Sequence, residues 1–528
     1  MGALLMSFNA SWAQEPLKVT EVKETKQIAE WNAPLTGISA NGRYLWANTA
    51  VDRAFVLDTQ TEKAQTFGEQ STDEFGGGFI TSVMGITDDG TVLVAEGETS
   101  CKLVAPDGRE TALQSPSEEF PWVQAWAITP DGSLIVGNLA NDAWGQAPFY
   151  ATRNQDGSYR ISLLPNPTKD VFGLQPNYTQ AKCIAPDGQT VIGSQNNYYG
   201  VADRLIVWTK GADGHYAYSY PADPVLYDKS VVVPPDPVYE DYVTIEYYEG
   251  MPDDELAKLE EQEAEYNKAV DEMLEKRTQF TQGLSLDALS LRVGRRGSYL
   301  YSQVVKDEDY TASAFVYDLQ QNKATLYPEV PGLALETFPG GFLVGEGFYP
   351  MYSLSYLKTE DNSLTPLHEW LKTQTGTDLT DQFTYTLVDP ETMEKYDGVF
   401  LGQPFMAADG KSLTLGGETA VMEEGDEYPT YTYFMRTLYF NKDLFAQEEA
   451  TDAPLVVATS YWDGTAVRLQ GVENGFVTLF DVNGNTVGRY SDDGSGVITL
   501  AGVVPAGRYI ALVGGTNISR TALKVMVR

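Results

Sequence analysis

Histidine is almost missing from this 528-residue chain, which has only His215 and His368, and cysteine is as scarce, with only Cys101 and Cys183. Two isolated histidines exclude a three-histidine metal site, and their contexts give no reason to meet a serine or cysteine nucleophile, so histidine-based catalysis is not expected. Two cysteines cannot staple a disulfide scaffold. No apolar run after the first residues approaches the roughly 18 needed to cross a bilayer. Basic side chains number 36 against 74 acidic ones, a net charge of −38, so the surface repels phosphate backbones and no nucleic acid partner is expected. P-loop, dinucleotide, CxxC and zincin motifs are all lacking. "STDEFGGG" and "KDEDY" lack the ligand spacing of an EF-hand loop. The expected cofactor is none, the expected metal none, and no catalytic residue is assigned.

What is abundant is glycine (48) and tyrosine (32), with hardly any helix-period stretch, a pattern that predicts an all-β chain. One motif recurs. Residues 37–46 read "GISANGRYLW", 85–94 "GITDDGTVLV", 127–136 "AITPDGSLIV", 183–192 "CIAPDGQTVI" and 406–415 "MAADGKSLTL". Two degenerate copies, "ALSLRVGRRGSYLYS" from Ala288 and "TFPGGFLVGEG" from Thr337, bring the units to seven. Each is strand, Asp-Gly or Asn-Gly turn, strand, because those residues accept the positive φ of a tight hairpin. A second hairpin usually follows, as in "AFVLDTQTEKAQTF" from Ala54, and four strands per unit is the signature of a propeller blade.

These readings predict a seven-bladed β-propeller over residues 15–450, closed by the alternating segment 17–31 as the last strand of the final blade. One insertion, 221–283, interrupts it and predicts a helix over about 253–277, with Leu256, Leu259, Tyr266, Val270 and Met273 as a narrow apolar stripe. That stripe is expected to pack on its own propeller. Cys101 and Cys183 fall at different repeat positions two blades apart and are read as buried free thiols. The units resemble the HAF-type extracellular repeat, which implies an exported propeller and brings no catalytic residues with it.

Past residue 454 the rhythm changes. "VTLFDVNGNTV" (477–487), "ITLAGVVPAGRYIALV" (498–513) and "LKVMV" (523–527) predict a small Ig-like β-sandwich. They resemble the C-terminal sorting domain of Bacteroidetes type IX secretion substrates. That resemblance implies export machinery as a partner and a secreted or cell-surface protein, beyond the inner membrane of a Gram-negative cell. The opening "MGALLMSFNASWAQEP" fits this, with residues 1–14 as the remnant of a signal peptide.

Within a propeller, turns inside the first and last strand pairs face one way, and the remaining loops face the other. The sequence places its long segments on that second face, at 137–148, 193–203, 345–351 and 416–433. Trp122, Trp144, Asn196, Tyr198, Tyr199, Phe348 and Tyr349 are the binding candidates there, since rings supply stacking area and amides directional hydrogen bonds. The reading is a non-catalytic propeller that binds a glycan, peptide or protein. The alternatives are a carboxylate-dependent glycan hydrolase drawing on Asp142, Asp203, Glu346, Glu424 or Asp426, and a structural protein of the cell envelope.

Overall fold

A computed structural model describes residues 16–49, 52–69, 81–97, 99–142, 145–196, 203–348, 351–388, 395–399, 401–421, 430–447, 459–470, 475–481, 486–492, 494–515 and 518–527. The expected signal remnant lies outside them. The chain divides into two units, Met1–Ala446 and Gln447–Arg528.

In the first unit the repeats become antiparallel sheets whose strands follow one another in chain order. The first sheet is Leu35–Ile38, Tyr44–Asn48, Ala54–Asp58 and Lys63–Phe67. The second begins at Thr81–Ile86, the third at Trp122–Ile128 and the fourth at Tyr178–Ile184. In the fifth sheet the innermost strand is broken into Leu284–Leu286 and Arg292–Val293, both paired with Tyr299–Lys306. The sixth begins at Leu333–Phe338 and the seventh at Pro404–Met406. The outermost strand of the seventh comes from the other end of the unit, with Val19–Glu24 running antiparallel to Thr430–Phe440.

Each junction between consecutive sheets encloses its own apolar core. Trp46 meets Val83, Leu93 meets Phe149, and Val136 meets Trp208. Ile192 then meets Phe315, Tyr301 meets Phe342, and Leu343 meets Leu413. A last core joins Met435 of the seventh sheet to Leu35 of the first, so the sheets close into a ring. Each fully buried side chain of this kind contributes about 1.5 to 3 kcal/mol.

The turns carry the repeat's logic. In the third sheet Asp131 Oδ1 accepts the Ser133 N–H (2.9 Å) and the Thr129 hydroxyl (2.7 Å), while Gly132 supplies φ +68°. Neighbouring turns also bind one another: Asn41 N–H donates to Asp88 Oδ1, Asp88 N–H to the Pro130 carbonyl, and Ala408 N–H to the Ala40 carbonyl. The end of the ring that bears the turns is thereby laced together.

Innermost strands share a second feature. Pairing with the next strand skips one residue, Thr36, Met84, Trp126, Lys182 or Leu335, in five of the sheets. Such a bulge presses backbone toward the partner strand. The "IVG" and "VIG" glycines answer it, because a Cβ on Gly137 would stand 2.1 Å from the Gln124 carbonyl oxygen, and one on Gly193 1.7 Å from that of Gln180.

The described parts of two expected loops, 345–351 and 416–433, are strand. Gly341–Phe348 pairs with Met351–Lys358, and Ser412–Val421 with Thr430–Phe440 as far as Val421↔Thr430. The ladders thus run into both expected loops from either side, and residues 349–350 and 422–429 between them lie outside the described residues. The insertion forms a 29-residue helix, Asp253–Thr281. Of the expected stripe only Leu259 and Met273 are buried, joined by Arg277, which pairs with Asp236 and lies over the Phe172 ring. Tyr266 packs against Tyr239 and Tyr242 of the same insertion. No described helix is long and apolar enough to cross a membrane.

The second unit has two antiparallel sheets, Thr459–Trp462 with Ala466–Gln470 and Val497–Thr499, and Phe476–Phe480 with Thr486–Ser491, Gly507–Gly515 and Ile518–Val527. Val467, Leu479, Ile498, Val513 and Val525 share one core.

Candidate binding channel

Three of the bulge residues, Thr36, Trp126 and Lys182, face the centre of the ring. A cavity of about 520 Å3 there is lined from six of the sheets numbered above, by Thr36, Trp126, Lys182, Arg292, Glu336 and Phe405 among others. A second cavity, of about 630 Å3, lies at the loop end of the second, third and fourth sheets, lined by Met84, Trp122, Gln124, Trp126, Asp142 and Gln180. Trp126 lines both, and at 37% exposure it is a large ring left uncovered on an innermost strand. The outer cavity is walled by amides and rings, with Gln180 Nε2 donating to Gln146 Oε1 at 2.9 Å. Asn141 closes its rim by accepting from Gly145 N–H (2.8 Å) and donating to the Glu119 carbonyl (3.1 Å).

Charge gathers deeper in. Arg292 donates to the carbonyls of Leu335 and Pro404, tying the fifth sheet to the sixth and seventh. Glu336, 3% exposed, accepts from Met406 N–H (3.1 Å), Thr337 N–H (3.0 Å) and the Tyr301 hydroxyl (3.3 Å). Burial lifts its carboxyl above the usual carboxylate range, against the pull of Arg292. Asp287 is occupied by the Leu289 and Ser290 N–H groups and by Gln303 Nε2. Lys182 Nζ donates to the Ala288 carbonyl at 3.1 Å, and burial lowers its pKa against the attraction of Asp203 and Asp287. Arg295 lies over the Trp46 ring at 5.7 Å, and burial, helped by Arg292, lowers its pKa too.

The predicted site residues divide three ways. Trp122 sits in the outer cavity and Asn196 at the end of the strand Thr190–Asn196, its amide on Asp203 Oδ1 at 2.9 Å. Phe348 ends a strand, and its side chain, like Trp144, Tyr198, Tyr199 and Tyr349, lies outside the described residues, as do Glu424 and Asp426. Asp142 lines the outer cavity, Glu346 is exposed, and burial pushes the Asp203 carboxyl upward beside Lys182 and Asp287. Cys183 is half-buried rather than buried, because its bulged strand turns it toward the channel, where its thiol donates to the Leu291 carbonyl at 3.1 Å.

Trp126, Lys182, Arg292, Arg295 and Glu336 escaped the reading of the sequence. For Trp126, Lys182 and Glu336 the signal was the residue just before a repeat start, as at Thr36 and Met84, which is of no fixed type. The segment "GRRG" (294–297) is a turn whose arginines point into the ring and across it, Arg296 reaching the Ala408 carbonyl and Asp443.

No family model and no curated protein matches the chain. Among solved structures, an oligogalacturonate lyase from Vibrio parahaemolyticus aligns over 79% of this chain and 97% of its own at 10% identity and a TM-score of 0.37. A puromycin hydrolase complexed with PGG covers 92% of this chain and 59% of its own, at 10% identity and a TM-score of 0.39. The WD40 domain of SCAP from fission yeast covers 86% and 96%, at 8% and 0.32. At these scores each is a distant likeness of shape with no bearing on activity.

Proposed function

We propose that this chain is an exported seven-bladed β-propeller with a C-terminal Ig-like sorting sandwich, which binds a glycan or peptide in its central channel without chemically altering it. The observation that carries the reading is the pair of cavities meeting at Trp126, one walled by amides and rings and the other by charge. Together they suit an extended ligand entering from the loop face. Hydrogen bonds within the protein already occupy the channel carboxyls Glu336 and Asp287, which favours recognition over acid–base work.

A glycan and peptide array with the full chain tests this. Trp126→Ala and Trp122→Ala are expected to weaken a retained ligand about tenfold or more, with melting unchanged for Trp126. Binding indifferent to both substitutions would sink the channel as the site.

Asp203 favours one second reading, a carboxylate-dependent glycan hydrolase, since its raised pKa beside Lys182 suits a proton donor. Product release from the same array, abolished by Asp203→Asn, would replace binding with catalysis. The sorting role rests on the resemblance of residues 454–528, and it fails if their removal leaves the protein's place in the cell unchanged.

A further inference from the structure

We infer that the channel selects ligands that present a carboxylate, which Arg295 and Lys182 receive at the floor of the inner cavity. The inference rests on the channel being the binding site and adds the chemistry of what it takes.

Three cations, Lys182, Arg292 and Arg295, line this cavity with two carboxyls, Asp287 and Glu336, in a protein whose net charge is −38. The carboxyls are committed. Glu336 has two backbone N–H groups and a tyrosine hydroxyl, and Asp287 is held by its own loop and Gln303. Arg292 gives Nε and Nη2 to the carbonyls of Leu335 and Pro404.

Arg295 differs. Its guanidinium makes no hydrogen bond and no ion pair with any described residue, and what it has is the face of Trp46. A half-buried guanidinium packed on a ring keeps its donor edge for an acceptor that arrives from outside. Lys182, on the bulge of the fourth sheet, uses one of three donors on Ala288. The protein's own acidity does not overrule these two, because surface charges beyond about 8 Å are screened at physiological ionic strength while groups inside the cavity are not.

Such a carboxylate reaches the channel on a uronic acid or at the C-terminus of a peptide. Calorimetry on the full chain separates them, with D-glucuronate against its methyl ester, a short free-acid peptide against its C-terminal amide, and inorganic sulfate as a third probe. The charged member of one pair is expected to bind about tenfold or more tightly than its neutral twin, and that pair names the source. Arg295→Gln and Lys182→Gln are each expected to erase the preference, so that charged and neutral twins bind the same variant alike, and unchanged melting certifies the fold of each variant. Equal affinity of the twins overturns the inference, and so does a preference that survives Arg295→Gln. If neutral ligands bind and are lost in Trp126→Ala while charge makes no difference, the channel remains the site and only the carboxylate preference falls. Binding of sulfate alone overturns carboxylate selection in favour of a bare anion hole.

Discussion

Asn138 does for the fourth sheet what Asn48 does for the second. Asn138 donates to the Thr179 carbonyl at 2.8 Å and accepts from Ala181 N–H at 3.1 Å, and Asn48 donates to the Val83 carbonyl at 3.1 Å and accepts from Val83 N–H at 3.0 Å. In both, an amide on the second strand of one sheet covers the free backbone edge of the next sheet's innermost strand. Asn138 is fully buried, so no water replaces it.

Asn138→Ala therefore strands one carbonyl and one N–H, and about 2 to 4 kcal/mol of stability should go with them. Asn48→Ala, half-buried, should cost less. Urea unfolding of both measures the order, and equal losses would show that burial is not what makes the clamp matter.

Glycine at the bulge is a requirement of space. Gly137→Ala and Gly193→Ala place a methyl group within 2.1 Å and 1.7 Å of backbone oxygens that cannot swing away. Each should cost about 2 to 3 kcal/mol or more. Gly157→Ala meets open space, so only its φ of +86° is strained, and about 1 kcal/mol is expected. Thermal melting that ranks Gly157→Ala as the worst of the three would contradict the bulge account.

Acid should loosen the first sheet through Asp58. Its carboxylate takes two bonds from Arg43, at 2.9 Å and 2.7 Å, and these hold its pKa well below the ordinary range. A carboxyl depressed by folding adds stability that is complete above its unfolded pKa of about 4 and fades as pH falls toward the folded value. Asp58→Asn should thus be about 1 to 2 kcal/mol less stable than the native chain at pH 7, with a gap that narrows below pH 4. A gap that stays constant down to pH 2 would rule the pair out as the cause.

Burial pushes the Cys101 thiol up to about 11 and that of Cys183 up to about 12. At pH 8 the thiolate fractions are then about one in a thousand and one in ten thousand. A thiol-reactive dye should find neither cysteine within seconds in the folded protein and both after unfolding in guanidinium. A rapid reaction with one equivalent of folded protein would mean that Cys183 is reached through the channel.

Local chemistry made much of this fold legible from residues alone. Asp-Gly turns need only their own four or five residues, so Asp89, Asp131 and Asp187 mark hairpins wherever they fall. Alternation over residues 17–31 pointed to the pairing that Val19–Glu24 makes with Thr430–Phe440. Residues 345–348 misled because a glycine-bearing stretch reads as loop when its partner strand is unseen.

Composition, turn chemistry and period were thus decided by the chain itself, because each depends on near neighbours. The binding channel was not. Lys182, Arg295 and Glu336 are distant in sequence, and they share one space only because the ring closes and brings together a bulge residue of the fourth sheet, a turn residue of the fifth and a strand residue of the sixth. Closure depends on Leu35 meeting Met435 across almost the whole length of the first unit, a contact that only tertiary packing can choose.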